Sequence, residues 1–229
     1  MLIMSQLLNF LFPKVCAACD RKLLPEEESL CLFCRSEMSF TDDYLNNKND
    51  TFKMFQGRLR LTYASSFLYY EKFTACQRMI QDLKYHNNEE VSYFLGKWHA
   101  SNLLSSDHWK DVNTVIPVPV NKKKKNVRGY NQVYGYAKEL ADAFDADINI
   151  DALKRRNENT TQVLKGKFAR TDIISSHYFP GKMDDLQGKH LLLVDDIITT
   201  GSTIEACGSI LQTIPGIKLS LASMALAAS

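Results

Sequence analysis

The sequence is defined first by features that it lacks. It contains no run of 18 apolar residues, so it offers no candidate for a transmembrane helix. Basic and acidic residues nearly cancel, 28 against 26, and a net charge of +2 predicts no bulk attraction to nucleic acid. The five histidines are scattered without metal-ligand spacing, and there is no internal repeat. These absences argue against a transmembrane protein, a protein that binds nucleic acid through a large net positive charge, and a repeat protein.

The N-terminus is apolar from Leu2 to Phe12, but no charged segment precedes it and no small-residue cleavage site follows. We therefore interpret it as an amphipathic helix and not as a signal peptide, and we expect a cytoplasmic protein. The 229 residues, 45% hydrophobic and 24% charged, can form one substantial core and a small additional module.

An apolar run followed by two acids is the most informative segment. Leu191 to Val194 predict a buried central strand, and Asp195 and Asp196 follow where that strand is expected to end. The hydroxyl-rich turn Thr199–Thr203 then leads into a helix whose free N–H groups and dipole favour an anion. Because the acids suit sugar hydroxyls or Mg²⁺, the residues themselves predict a sugar phosphate ligand, accompanied by Mg²⁺.

Two other motifs also begin with an apolar run and acids. A Walker B strand would require a Gly-x-x-x-x-Gly-Lys-Ser/Thr loop elsewhere, and the nearest candidate, Gly181–His190, has the wrong spacing. A response-regulator acid pair would follow the first strand of its domain, whereas this pair lies near the C-terminus. Both alternatives are therefore disfavoured.

Four of the six cysteines form two Cys-x-x-Cys knuckles separated by 11 residues. Two such knuckles supply four thiolates for one tetrahedral site and predict structural zinc. Disulfides and an iron–sulfur cluster are the alternatives, and a cytoplasmic location disfavours the first of these. The module itself is either purely structural or a contact for DNA or protein. The knuckles consist of Cys16, Cys19, Cys31 and Cys34.

The remaining pattern predicts strands alternating with helices, and hence a mostly parallel sheet covered by helices on both sides. We expect a polar linker or mobile loop at 41–50, β structure at 58–70 in the form of a hairpin, and a basic loop at 153–175. Asn87 and Glu90 predict a capping box. The remaining predicted elements are a helix carrying Cys76, Met79, Ile80 and Leu83, a strand Val112–Ile116 stopped by Pro117, a helix carrying Val133, Ala137, Leu140 and Phe144, a strand edge His177–Pro180, and a closing strand Ile217–Ala225.

The acid-pair segment resembles the phosphoribosyl-diphosphate signature of the type I phosphoribosyltransferases. Three further segments resemble one branch of that superfamily, the ComF family of competence proteins. They are Ile116-Pro-Val-Pro-Val120 with Arg128-Gly-Tyr-Asn-Gln132, then Leu153-Lys-Arg155 with Thr161-Gln162, and the double cysteine knuckle. The pair Lys84-Tyr85 also fits. The similarity extends from Phe12 to Ala225.

This resemblance implies an α/β fold of the type I phosphoribosyltransferase kind, preceded by a small Cys₄ zinc module, with a domain division of 1–45 and 46–229. It implies that Asp195 and Asp196 hold ribose hydroxyls or Mg²⁺, that Thr199, Thr200, Gly201, Ser202 and Thr203 bind the 5-phosphate, and that Val118, Pro119 and Lys122 contact pyrophosphate. Arg128, Gln132, Arg155 and Gln162 would line the site. The alternative interpretation of the lysine run that contains Lys122 is a solvated basic loop without a role in the site.

Two functions remain open from the sequence. One is a Mg²⁺-dependent phosphoribosyltransferase with an unidentified acceptor, linked to DNA uptake. The other is a non-catalytic phosphoribosyl-diphosphate sensor or adaptor that binds single-stranded DNA, DNA-uptake proteins or a helicase. The intact acids and phosphate turn favour the first. The zinc module, the basic clusters and the lack of a recognisable acceptor pocket favour the second.

Overall fold

The computed structural model describes residues 13–121, 129–156 and 177–228. Its centre is a five-stranded sheet in which every pairing is parallel, in the order β1-β7-β6-β2-β3. A separate antiparallel pair, β4–β5, lies beside it. The strands are β1 (Ala64–Tyr70), β2 (Thr114–Pro117), β3 (Asp147–Ile148), β4 (Leu153–Arg155), β5 (Tyr178–Pro180), β6 (His190–Ile198) and β7 (Lys218–Ala227).

Helices cover both faces of the sheet, as the alternating pattern predicts. They are α1 (Leu32–Ser36), α2 (Asp50–Met54), α3 (Ala75–Tyr85), α4 (Glu90–Leu104), α5 (Tyr134–Phe144) and α6 (Ser202–Leu211). One apolar cluster joins α3, α4 and α5 to one face, and the cysteine module packs into it. A second cluster joins α6 and the end of α2 to the opposite face. The apolar residues predicted for α3 and α5 are buried in the first cluster, which confirms both helices.

The central position of β6 is also confirmed, but the strand is longer than predicted. Leu191 to Val194 are almost fully buried. On one side β6 pairs with β2 only as far as Val194, opposite Pro117, where proline ends the ladder. On the other side its pairing with β7 continues to Ile198. Asp195 and Asp196 therefore lie within β6, in the part of the strand that extends beyond the end of β2.

Two local predictions are wrong. Residues 58–70 do not form a hairpin, because β1 begins at Ala64 and pairs in parallel with β7. The capping box at Asn87 does not form either. Asn87 has a φ of 58°, α4 begins at Glu90, and no side chain caps its first turn.

The polar segment 41–50 is anchored to the folded domain through its two buried residues, Asp43 and Asn49, and is not a free linker. Asn49 is buried, and its Nδ2 donates to the carbonyl oxygens of Asp43 and Ala64 at 2.8 and 2.6 Å. Its Oδ1 accepts the N–H of Phe52 and so caps α2. Polar residues occur here because they satisfy buried backbone groups. The predicted loop 153–175 is likewise interrupted by β4, while residues 157–176 lie outside the described part of the chain.

Two arginines connect the cysteine module to the rest of the molecule. Arg78 Nε on α3 donates to the carbonyl oxygen of Ala18, inside the first knuckle, at 2.6 Å. The guanidinium of Arg35 lies 4.2 Å from the centroid of the Trp98 ring on α4. The module is thus attached to α3 and α4 by specific contacts. Among the helices of the described residues, none has the length and hydrophobicity needed to cross a membrane.

Candidate functional site

The two acids of the signature point to opposite faces of β6, because successive side chains of a strand alternate. Asp195 lies on the face of Leu191 and Leu193, which pack with α6. It is only 8% exposed, and its Oδ1 accepts the N–H of Asp196 at 2.9 Å. Burial raises the pKa of Asp195 to about 8, and the adjacent Asp196 carboxylate acts in the same direction. Asp195 is therefore a buried acceptor whose charge is costly in the absence of a partner.

Asp196 lies on the other face, where it meets the C-terminal end of α3. Its Oδ1 accepts the N–H of Ile197 at 2.6 Å. Its Oδ2 lies 2.8 Å from the ammonium of Lys84, and the two side chains are only 19% and 21% exposed. Asp196 is thus paired with Lys84, while the positive charges of Lys84 and Arg155 both oppose the effect of burial on the pKa of Asp195.

The turn after β6 has the geometry of an anion site. Gly201 adopts a φ of 75° and precedes α6, so the first N–H groups of that helix lack intrahelical partners. Thr199 and Thr200 are exposed and Ser202 and Thr203 are half-buried. Exposed hydroxyls and free N–H groups at a helix N-terminus suit a phosphate.

Side chains from α2 and the segment after it support this turn from behind. A Cβ on Gly201 would lie 2.7 Å from the ring of Phe55, so a larger residue would displace the turn or the ring. Arg58 Nη1 donates to the carbonyl oxygen of Thr200 at 3.1 Å, and its Nε donates to Glu205 on α6 at 3.0 Å. Arg58 thereby connects the turn to the helix that follows it.

The segment after β2 reaches the same edge of the sheet. The N–H of Val118 donates to the carbonyl oxygen of Val194, immediately before the acids, at 2.9 Å. Asn131 Nδ2 donates to the carbonyl oxygen of Val118 at 3.2 Å, and the hydroxyl of Tyr130 donates to the carbonyl oxygen of Leu83 at 2.6 Å. Tyr130 and Asn131 thus tie the segment after β2 to the end of α3. Pro119 is half-buried.

The remaining predicted residues are only partly brought together. Arg155 lies on β4, its guanidinium 5.2 Å from the centroid of the Tyr178 ring, and its charge acts on Asp195. Gln132 is 1% exposed, so its side chain is buried and not open to solvent. Its Nε2 has no hydrogen-bond partner among the described residues. Lys122, Arg128 and Gln162 lie outside the described residues.

Sequence reasoning gave no role to several residues that form this site. In the sequence Lys84 is marked only by its resemblance to the family, whereas in the structure its ammonium contacts Asp196. Arg58 lies far from the acid pair in the chain, and no local pattern marks it. The motif Arg128–Gln132 did contain a signal for Tyr130, but its contact with α3 depends on how the helices pack.

The four knuckle cysteines converge as predicted. Their Sγ atoms all lie within 4.8 Å of one another, three of the residues are buried, and Cys19 is exposed. Thiolates bound to one Zn²⁺ at about 2.3 Å in a tetrahedron lie about 3.8 Å apart, and the Cys19 and Cys31 sulfurs are 3.7 Å apart. The cluster therefore fits one metal ion such as zinc.

A Mg²⁺ ion coordinated directly by both acids does not fit. The carboxylates leave β6 on opposite faces, and the Asp196 oxygens already contact Lys84 and the N–H of Ile197. Mg²⁺ also requires nearly octahedral oxygen ligands and is commonly held through substrate phosphates. The two acids therefore do not form a joint Mg²⁺ site by themselves.

Comparisons with known proteins identify a matching domain profile and several relatives of this chain. The family profile described as phosphoribosyl transferase domain matches residues 134–222, which include β6, the turn and α6. The chain is 23% identical over 197 residues to competence protein ComFC of Bacillus subtilis, covering 83% of this chain and 75% of that protein.

Two further relatives are matched over shorter lengths. Over 137 residues the chain is 23% identical to DNA utilization protein YhgH of Escherichia coli O157:H7, covering 58% of this chain and 59% of that protein. Over 101 residues it is 29% identical to competence protein F of Haemophilus influenzae, covering 44% of each. The resemblance to ComF competence proteins is confirmed.

Solved structures give similar matches. An adenine phosphoribosyltransferase has a TM-score of 0.40 at 14% identity, covering 65% of this chain and 75% of that chain. A hypoxanthine phosphoribosyltransferase from Staphylococcus aureus has a TM-score of 0.34 at 14% identity, covering 59% of this chain and 62% of that chain. The family profile, the parallel sheet and the cysteine cluster confirm the expected fold class, a phosphoribosyltransferase-like α/β domain preceded by a Cys₄ module.

Proposed function

We propose that this protein binds phosphoribosyl diphosphate and transfers its phosphoribosyl group to an acceptor. The observation that carries the proposal is the junction of β6 and α6. There one buried and one half-buried acid are followed directly by a glycine-centred turn that carries hydroxyls at the N-terminus of α6. The turn suits the 5-phosphate, and the carboxylates suit the ribose hydroxyls.

The proposed transfer is a substitution at C1 of the ribose. Transfer would break the bond between C1 of the ribose and the diphosphate oxygen, and pyrophosphate would leave with the bonding electrons. A lone pair of the acceptor would form the new bond at C1, and the acceptor's proton would pass to solvent. Charge grows on the leaving group, so nearby cations would stabilise the transition state. In our proposal Val118–Lys122 and Arg128 would contact that side of the ligand, and Arg155 and Gln162 would complete the site.

We also propose that Mg²⁺ enters the site with the diphosphate and that zinc occupies the Cys₄ cluster. Bound to the diphosphate, Mg²⁺ would supply further neutralisation of the leaving group. Zinc would hold the segments of the module together, since three buried thiolates need a common partner. Thiolate ligands and a phosphoribosyl donor support a cytoplasmic location. We also retain as a proposal the division into an N-terminal module, 1–45, and a phosphoribosyltransferase-like domain, 46–229. The names of the relatives make DNA uptake or use the proposed context.

Calorimetric titration with phosphoribosyl diphosphate tests the proposal. We expect micromolar binding that strengthens when Mg²⁺ is present, and no measurable binding of Mg²⁺ alone. The first follows from the anion turn together with the acids, and the second from the opposed orientation of the carboxylates. Ribose 5-phosphate without Mg²⁺ serves as the control for the phosphate turn.

Pyrophosphate release then separates a transferase from a binding protein. Release that depends on an added base, amine or nucleic acid would support transfer. Tight binding of phosphoribosyl diphosphate with no release in the presence of any of these acceptors would refute catalysis and leave a sensor or adaptor. Failure to bind phosphoribosyl diphosphate at all would refute the whole proposal.

One observation favours a second function, contact with single-stranded DNA through the cysteine module. Phe33 is 56% exposed on α1, and the guanidinium of Arg21 lies 5.7 Å from the centroid of its ring. Exposed aromatic rings beside arginines can stack on bases. We expect binding to an oligonucleotide to fall with salt by a log–log slope of about −0.7 per phosphate contact, and to weaken in Phe33→Ala. Equal binding by wild type and Phe33→Ala would contradict this function.

A further inference from the structure

Lys84 and Asp196 form a partly buried ion pair. Among the lysine and arginine pairs with carboxylates in the described residues, it is the least exposed, with both side chains at about one fifth. Two partly buried charges are desolvated at a cost, so their pairing is maintained only where the surrounding structure holds them together. The resemblance to known families gave this lysine no role.

The end of α3 that carries Lys84 is held in place from two sides. The hydroxyl of Tyr130 donates to the carbonyl oxygen of the preceding residue, Leu83, at 2.6 Å. On the outer side, the Asp82 carboxylate accepts from Asn88 Nδ2 at 2.6 Å and lies 2.9 Å from His86 Nδ1. These contacts fix the end of α3 in the position from which the Lys84 ammonium reaches Asp196.

We propose that Lys84 is a specificity residue that makes the site prefer ribose 5-phosphate carrying a diphosphate over ribose 5-phosphate alone. The inference rests on the proposed function. If Asp196 accepts a ribose hydroxyl, the ammonium, the carboxylate and the hydroxyl form a chain of two hydrogen bonds, which places the ammonium within about 6 Å of the sugar. The diphosphate is attached at C1, next to the hydroxyl-bearing carbons, so it enters the field of Lys84.

The charges explain why the diphosphate would depend on this lysine more than the sugar does. Without Lys84, the Asp196 carboxylate would stand uncompensated beside a strongly anionic leaving group and repel it. With Lys84, that repulsion is cancelled and an ammonium is available to the diphosphate. Ribose 5-phosphate carries no charge at C1, and its phosphate lies at the turn before α6, so it gains little from Lys84.

The test compares both ligands on Lys84→Met, by calorimetry in the presence of Mg²⁺. We expect the dissociation constant of phosphoribosyl diphosphate to rise about 10- to 100-fold, as for loss of a charged hydrogen bond, and that of ribose 5-phosphate to change less than about 3-fold. Lys84→Arg should retain most of the preference. Lys84→Gln, whose amide can still donate to Asp196, carries the same expectation as Lys84→Met if the methionine variant does not fold.

A control ion pair lies at the opposite end of the central strands. Lys218 Nζ lies 2.8 Å from Asp111 Oδ2. Lys218 is the first residue of β7 and pairs with His190 at the start of β6, whereas the acid pair lies near the end of β6. Lys218→Met should change neither dissociation constant. Equal losses for both ligands in the Lys84 variants would reduce Lys84 to a support for Asp196 and overturn the inference. Unchanged binding of both ligands would overturn it as well. Wild-type protein that binds neither ligand would overturn the proposed function, and this inference with it.

Discussion

Replacing both acids, Asp195→Asn with Asp196→Asn, is expected to abolish binding of phosphoribosyl diphosphate without unfolding the protein. Each carboxylate would accept a hydroxyl hydrogen bond, and a hydrogen bond to a charged group contributes about 1.5–3 kcal/mol. Losing two should weaken binding by at least about 100-fold. The amides keep the size of the side chains, and an asparagine oxygen at 195 can still accept the N–H that Asp195 Oδ1 accepts now. Calorimetry measures the binding, and a thermal melt measures the folding.

The chain supplies a matched control for this experiment. Asp184 and Asp185 are also consecutive, but both are exposed on a short 3₁₀ turn before β6. Asp184→Asn with Asp185→Asn makes the same change in charge away from the site and should leave the dissociation constant unchanged. An unchanged dissociation constant in the Asp195 and Asp196 double variant would refute the assignment of the acid pair to the ribose.

The second large effect is expected at the cysteine cluster. Cys16→Ser should release the metal and destabilise the module, because Cys16 is fully buried and a serine hydroxyl is a poor zinc ligand. Structural zinc in small domains contributes about 10–16 kcal/mol of apparent binding free energy. Metal content per chain gives the first measurement. The fluorescence of Trp98, which packs against Arg35 of the module, gives the second.

Cys76→Ala is the control, since Cys76 is a buried cysteine on α3 outside the cluster. It should keep one zinc ion per chain even if the core is somewhat weakened. Wild-type protein that contains no zinc would overturn this interpretation, and iron together with acid-labile sulfide would establish the cluster alternative instead. Retention of zinc by Cys16→Ser would show that the ion is held elsewhere.

Local pattern was sufficient wherever neighbouring residues determine the structure. The apolar run before Asp195 predicted the central strand, and the spacing of apolar residues predicted α3 and α5. The knuckle spacing predicted the cluster, because each pair of thiolates is placed by its own short turn. Pattern failed at 58–70, where the alternation predicted a hairpin. The pairing there is with β7, about 157 residues away in the chain, which no local signal can reveal.

The sequence by itself identified the residues to which we assign the proposed chemistry, namely the acid pair, the turn before α6 and the four cysteines. Only the tertiary structure decided their electrostatic partners. Lys84, at the end of α3, reaches Asp196, and the positive charges of Lys84 and Arg155 both oppose the effect of burial on the pKa of Asp195. The physical reason is that a strand sends successive side chains in opposite directions. Two acids that are adjacent in sequence therefore belong to different environments, and long-range packing alone sets the charge beside each one.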